Sequence, residues 1–296
     1  MIACRIVIGR GKRELVLGAP LLAAAGALGY DPTAATVEGL ERLGAYVTPA
    51  LTPAPRRGAE SSRLARTTAG YVLHTGRRNP GVSRAVRRHA RAWGRCGLPV
   101  IAALYAASPD EAAAGVERLV ACDCIQAIEI HLAHDADAED AFAVVRAAQS
   151  GTALPCLLRV TERAALAQAI AAEEAGADAV VVAAPPHGRT PAADGGWAAG
   201  PLHSPALAPL YAALVHEAHG ATDLPIIGRG GVATADDVLA LLAAGAAAVQ
   251  LDSILYVDPG APVTISESLE ARLAEAGAAD WDAFLATLQG TPEDGA

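Results

Sequence analysis

Pro99-Val-Ile-Ala-Ala103 followed by Ser108-Pro-Asp-Glu111 sets the pattern that decides the fold: a short apolar strand, then a helix start. Ser108 is a favoured N-cap and Pro109 suits the first helical position. Asp110 and Glu111 put carboxylates in the first turn, where the helix dipole favours them. The same pairing recurs downstream. Ala127-Ile-Glu-Ile130 leads to a helix over about 138–149, and Pro155-Cys-Leu-Leu-Arg-Val160 to a helix capped by Thr161 and ending at Gly176. Ala179-Val-Val-Val182 is followed by a Pro- and Gly-rich loop of about eighteen residues and a helix over about 204–219. Pro225-Ile-Ile-Gly228 precedes a helix capped by Thr234 and ending at Gly245, and Ala248-Val-Gln-Leu251 ends the series.

Continuous apolar strands, as opposed to alternating ones, belong to parallel sheets buried on both faces. Two more units fit upstream. Pro20-Leu-Leu-Ala-Ala-Ala25 pairs with a helix near 36–43, and Ala45-Tyr-Val-Thr48 with a helix near 80–92. Eight such units predict a (β/α)8 TIM barrel, for which this length is typical. An open Rossmann sheet competes, but no G-x-G-x-x-G follows a first strand. The runs Arg5–Ile8 and Glu14–Leu17 predict an N-terminal β-hairpin at the barrel bottom, and Trp281–Gln289 an extra C-terminal helix. No linker marks a second domain, so one domain is expected over 1–296.

The composition supports a sizeable core: 296 residues are 52% hydrophobic and 19% charged, which excludes a disordered chain. Twenty-three basic residues face 32 acidic ones, for a net charge of −9. That balance argues against a phosphate-backbone binder, so no nucleic acid is expected. Lys12 is the single lysine, so chemistry that needs a lysine is nearly excluded. Five scattered cysteines do not form a disulfide framework and read as small buried hydrophobes in a reducing compartment. Basic residues interrupt the apolar N-terminus, and no run approaches the ~20 apolar residues of a membrane span. A cytoplasmic protein without a membrane anchor is expected.

Barrel chemistry sits at the C-terminal ends of the strands. Gly228-Arg-Gly-Gly231 opens a helix after the seventh strand, and Leu251-Asp-Ser253 follows the eighth. Gly230 and Gly231 would let backbone N–H groups approach an anion, and Ser253 would add a hydroxyl; plain turn glycines are the other reading. Asp252 counts against phosphate, because a carboxylate repels a dianion. Arg159 ends a buried strand, where a permanent cation calls for an anionic partner. His131 and His134 follow the fourth strand. His134 is a candidate general acid or base. An H-x-x-H metal pair lacks a third ligand, so no metal is expected. His74, Arg77 and Arg78 read equally as an anion-binding lip or an exposed basic turn.

Several blocks resemble the dihydroorotate dehydrogenase family of flavin mononucleotide (FMN) barrels, in order and over nearly the whole chain. Gly39-Leu-Glu-Arg-Leu-Gly-Ala-Tyr-Val-Thr-Pro-Ala-Leu-Thr52 resembles the segment ending V-T-K-S-x-T. Thr68-Ala-Gly70 with Gly76-Arg-Arg-Asn-Pro-Gly81 is similar to T-P-A-G…G-L-x-N-P-G. Gly195-Gly-Trp-Ala-Ala-Gly-Pro201 resembles G-G-L-S-G-P, and Pro225-Ile-Ile-Gly-Arg-Gly-Gly-Val232 resembles P-I-I-G-x-G-G-I. Ala244–Pro259 resembles A-G-A-x-A-V-Q-V-G-T-A-L-Y-x-D-P.

The resemblance implies an FMN site made by Ala25 and Gly26 under the ring, His131, Arg159, Gly200, Gly230, Gly231 and Ser253. It also implies homodimers or a separate electron-transfer subunit. The departures are equally specific. The family's strand-4 loop E-L-N-x-S-C/S-P-N reads Glu129-Ile-His-Leu-Ala-His-Asp-Ala136 here, which puts His134 at the base and His131 in place of a flavin-contacting Asn. Pro49 and Arg159 replace lysines, Asp252-Ser253 replaces G-T, and Leu73, Ala136 and Ala184 replace substrate-binding asparagines. Each unmade bond to a polar substrate costs roughly 1–3 kcal/mol, so dihydroorotate itself is not the expected substrate. The first reading is therefore an FMN oxidoreductase of changed substrate, with His134 as acid or base and Arg159 beside the ring. The alternative is a catalytically inactive barrel serving as a structural or regulatory subunit. A third reading is a lyase or isomerase of a phosphate-bearing small molecule.

Overall fold

The computed structural model describes residues 4–10, 13–34, 37–59, 64–193 and 195–290; Lys12 lies outside them. Strands β1 (Ile6–Arg10) and β2 (Arg13–Leu17) form the expected antiparallel hairpin. Strands β3 (Leu21–Ala23) and β4 (Ala45–Val47) enter the barrel, and β5 (Leu64–Thr67) and β6 (Gly70–Leu73) form a second hairpin before α1 (Val82–Trp93). Then β7 (Val100–Tyr105), α2 (Pro109–Leu119), β8 (Ile125–His131), α3 (Ala138–Ser150), β9 (Cys156–Thr161), α4 (Ala165–Ala175) and β10 (Ala179–Ala184) alternate strictly. Strands β11 (His187–Pro191) and β12 (Trp197–His203) interrupt before α5 (Ala208–His219), β13 (Ile226–Arg229), α6 (Ala235–Ala243) and β14 (Ala248–Leu251). Helices α7 (Ile254–Val257), α8 (Ala261–Glu275) and α9 (Trp281–Gln289) follow, the last being the expected C-terminal helix.

Eight parallel strands close the TIM barrel in the order β3-β4-β7-β8-β9-β10-β13-β14 and back to β3. Val100–Leu104 in β7, Leu157–Leu158 in β9 and Val180–Val182 in β10 are all buried, as parallel strands covered by helices must be. The helix starts follow the N-cap rule. Ser108 accepts from the Glu111 N–H, and Asp137 and Thr234 each form a capping box, with Asp140 and Asp237. Thr234→Ala is expected to cost about 1 kcal/mol, read as a lower urea midpoint at unchanged slope; an unaltered midpoint would show that the cap contributes nothing.

Three expectations are corrected. The helix expected near 36–43 is absent: Thr36 lies outside the described residues, and the rest supplies only a short 3-10 turn over Leu40–Arg42, with left-handed Gly39 (φ 72°) before it. Thr161 does not cap α4. It ends β9, and its N–H donates to Gln168 Oε1 (2.7 Å), while Ala164 holds the N-cap without a side-chain bond. The expected loop after β10 contains β11 and β12, which join β6 and β5 in a four-stranded antiparallel sheet. Exposure alternates along His187–Pro191, the period-2 signature of a half-covered strand that Gly and Pro disguised. This sheet carries Tyr71 and His203 as cross-strand neighbours, their rings stacked 5.1 Å apart.

Candidate functional site

Charged and polar side chains stand at the C-terminal ends of β8, β9, β13 and β14, inside an otherwise apolar wall. Glu129 and His131 are spaced by two in β8, so both face the barrel interior, and Arg159 of β9 is the register neighbour of His131. Glu129 is fully buried and ionised, and it takes two charge-assisted bonds: His131 Nε2 lies 2.6 Å from its Oε1, and Gln250 Nε2 donates to its Oε2 at 2.6 Å. Burial pushes the Glu129 carboxyl up, but its bond to His131, the charge of Arg159 and its bond to Gln250 outweigh this and hold it below the usual range. His131 is driven down to about 3, first by burial and then by Arg159. The imidazole is therefore neutral, with Nε2–H pointed at Glu129.

Arg159 is lowered to about 9 by burial and by the nearby charge of Arg229, and stays cationic at neutral pH. Its Nε is buried without a partner, as are Arg229 Nε, Tyr71 Oη and Gln250 Oε1. The second cluster centres on Asp252. Arg229 donates from Nη2 to Asp252 Oδ2 at 2.5 Å and from Nη1 to the Ala183 carbonyl at 3.4 Å. His203 Nδ1 lies 3.4 Å from the same carboxylate oxygen. Burial alone would raise the Asp252 pKa, but Arg229, followed by His203, holds it far below the ordinary range. Burial, then Asp252, pushes the Tyr71 phenol up to about 12.

The expected site residues fall into separate groups. Gly230, Gly231 and Ser253 line one cavity together with Asp252, His203, Leu202 and Tyr211, and its volume is about 10 Å3. That is room for roughly one water molecule. Gly230 (φ 98°) and Gly231 (φ 71°) are left-handed, and a Cβ would strike the Tyr211 ring at the first and the Ala208 backbone at the second. Packing against α5 is thus enough to require glycine at both positions. Gly26 (φ 84°) turns above β3, and its carbonyl accepts from Tyr256 Oη at 3.0 Å; Ala25 precedes it, half-buried. Gly200 lies in β12, where a Cβ would come within 2.9 Å of the Leu73 carbonyl. His134 is exposed, stacks on His187 at 4.3 Å and lies 3.7 Å from Asp135. No described contact ties it to His131 or Arg159. The Arg77 guanidinium covers the Tyr105 ring at 3.9 Å, while Arg78 is exposed.

Sequence reasoning missed Glu129, Gln250, Arg229, His203 and Tyr71 as site residues. Three of them carried a readable signal, namely a polar residue inside an apolar strand: Ala127-Ile-Glu-Ile130, Ala248-Val-Gln-Leu251 and Ile226-Ile-Gly-Arg229. His203 and Tyr71 arrive on the hairpin sheet, which carried no such mark.

These residues do not fit FMN at its phosphate end. The Asp252 carboxylate stands among the donors that a dianion would need, and Arg229 is already paired to it. The cavity there also has room for roughly one water molecule, fewer atoms than a phosphate group brings. At the other end, the unpartnered Arg159 Nε and Tyr71 Oη are donors that lack an acceptor.

Comparison with known proteins places this geometry in a lineage. The family model described as dihydroorotate dehydrogenase matches residues 189–273. The catalytic subunit of dihydroorotate dehydrogenase B (NAD(+)) from Trichlorobacter lovleyi is 31% identical over 94% of this chain and 97% of its own length. Its counterpart from Desulforudis audaxviator is 32% identical over 90% of this chain and 92% of its own. The solved dihydroorotate dehydrogenase of Eimeria tenella, in complex with ferulenol, shares the fold at 18% identity, with a TM-score of 0.72 over 89% of this chain and 83% of that one. With near-complete coverage by relatives above 30% identity, and the same closed barrel, this chain belongs to the dihydroorotate dehydrogenase family of oxidoreductases.

Proposed function

We propose that this family member is a barrel whose flavin site is closed by its own side chains, and that it works as a structural or regulatory subunit. The observation that carries this reading is the Arg229–Asp252–His203 cluster, which supplies an internal carboxylate where the phosphate of a ligand would sit and leaves about 10 Å3 beside Gly230 and Gly231. The positions of the two histidines also support this reading. His131, the buried histidine, has a pKa of about 3 and is a poor proton acceptor at neutral pH. The histidine in the position of the family's base, His134, stands exposed on a loop. Five free thiols suit a cytoplasmic setting.

One observation favours a second reading, an FMN-type oxidoreductase of altered substrate. Arg159 and Tyr71 keep buried donors without acceptors, and Arg159 holds the position of a flavin-facing lysine. A flavin ring would supply acceptors there, with hydride chemistry as its contribution when bound. One experiment separates the two readings. Purified protein is expected to be colourless, and titration with FMN to leave flavin fluorescence unquenched. Copurified flavin, or saturable quenching, would sink the closed-site reading and establish the second.

A further inference from the structure

The connection from α2 to β8 holds two thiols in contact. Cys122 and Cys124 flank the exposed Asp123 in a tight turn, closed by the Ile125 N–H donating to the Cys122 carbonyl at 3.0 Å. Their Sγ atoms stand 2.9 Å apart. Cys96 and Cys156 instead point their thiols at the carbonyls of Leu98 (3.5 Å) and Leu154 (3.9 Å). Cys122 is 7% exposed and belongs to the apolar core of the barrel. Cys124 is half-buried beside Gly94, where α1 ends, so the pair is reached from solvent on the Cys124 side.

Burial, and then the bond to Cys122, raise the Cys124 thiol to about 12. Almost none of it is thiolate at neutral pH, which makes it a poor nucleophile toward a simple alkylating reagent. Two neutral thiols in contact still suit one kind of reaction. Condensation with a thiophilic oxide releases water, and its balance needs neither a thiolate nor an oxidant.

We propose that Cys122 and Cys124 form a dithiol site for a trivalent arsenical, an organic arsenoxide or its hydrate. Each sulfur forms one bond to arsenic, both S–H bonds break, and the two protons leave with the arsenic-bound oxygen as water. Arsenic stays trivalent throughout, so no electron is transferred. The geometry selects this class. A soft centre takes sulfur in preference to oxygen ligands. Trivalent arsenic is pyramidal and carries its own third substituent, so it asks for just two sulfurs, close together on one side. A four-coordinate metal asks for more. Among the described residues no group of three or more His, Cys, Asp or Glu side chains could hold one. A linear two-coordinate ion needs its sulfurs on opposite sides, which two touching thiols in one turn do not offer. Because the turn positions both thiols beforehand, the second bond forms intramolecularly, and the chelate far outlasts a single bond. The site lies before β8, at the barrel end opposite the Asp252 cavity, so the inference does not depend on whether flavin binds.

The test is titration of the fully reduced full chain with phenylarsine oxide, read by intact mass and by the thiols left after denaturation. One adduct is expected, consuming two of the five thiols. It should survive excess 2-mercaptoethanol and be removed by the chelating dithiol 2,3-dimercaptopropanol. Cys122→Ser and Cys124→Ser each turn the chelate into a single bond, and each is expected to weaken capture by about a hundredfold. Cys96→Ser and Cys156→Ser should leave it unchanged. Circular dichroism checks folding, and Cys122→Ala with Cys124→Ala reads the same loss if a serine variant does not fold. No adduct, an adduct on one thiol, one stripped by the monothiol, or one that survives loss of Cys122 or Cys124 would each overturn the proposal.

Discussion

Asp252→Ala is expected to destabilise the fold by about 3–5 kcal/mol, and inorganic phosphate is expected to restore part of the loss. The first half follows from burial. Arg229 is 3% exposed, and its Nη2 is bonded to Asp252, so removing the carboxylate leaves a buried cation with only the 3.4 Å contact to the Ala183 carbonyl. Breaking a buried ion pair from one side typically costs this much, because the remaining charge keeps its desolvation penalty. The second half follows from the closed-site reading. If Asp252 stands in for a ligand's anion, truncating it both enlarges the cavity beside Gly230 and Gly231 and frees a guanidinium that prefers phosphate. Phosphate at about a hundred times its dissociation constant would return roughly 2.7 kcal/mol. Denaturation of both proteins with and without phosphate measures this. Equal stabilisation of wild type and variant, or none of either, would refute the stand-in role. The acid limb has a definite sign. The folded pKa of Asp252 is depressed, so its contribution is complete above the unfolded value of about 3.9 and is lost as pH falls through the folded one.

The barrel was legible because its signals are local. Ser108, Asp137 and Thr234 cap helices as their neighbours in sequence imply, and β7, β9 and β10 are apolar runs of strand length. Elements whose partners are remote were not legible. Strand β12 pairs with β6, more than a hundred residues away, and β11 is held at the sheet edge by β12, so their Gly and Pro content reads as loop until that partner is known. The site divides the same way. The argument against a phosphate cradle could be read from Asp252 alone. The reason Asp252 is tolerated could not, since it lies in Arg229, a 23-residue step along the chain, and in His203, delivered by the hairpin sheet. The glycines answer to two demands. Gly230 and Gly231 fit a ligand-binding pattern, and Tyr211 and Ala208 require them for packing as well.

Acidification from pH 6.5 to 4.5 is expected to weaken the wild-type fold steeply, and His131→Gln to flatten that limb. His131 is 1% exposed and its folded pKa is about 3, against roughly 6.5 in an unfolded chain. Between those values the unfolded state binds a proton that the folded state refuses. Stability is therefore fully present above about pH 6.5 and drains away as pH falls, by up to 1.4 kcal/mol per unit, accumulating on the order of 4 kcal/mol near pH 3. Competing groups are few in this window. Glu129 and Asp252 have depressed pKa values and act only below about pH 4.3. His89 and His187 are also lowered, chiefly by burial, but both remain well solvated and their effect is screened. Glutamine keeps a donor for Glu129 and does not titrate, so the slope of unfolding free energy against pH should fall by most of one proton. A wild-type slope near zero, or an undiminished slope in the variant, would mean that His131 is protonated in the folded state. Glu129 and His131 would then form an ion pair beside Arg159, and the histidine would regain a proton to donate at the barrel mouth. The same titration therefore measures both the acid limb of stability and the strongest physical argument against acid–base chemistry in this site.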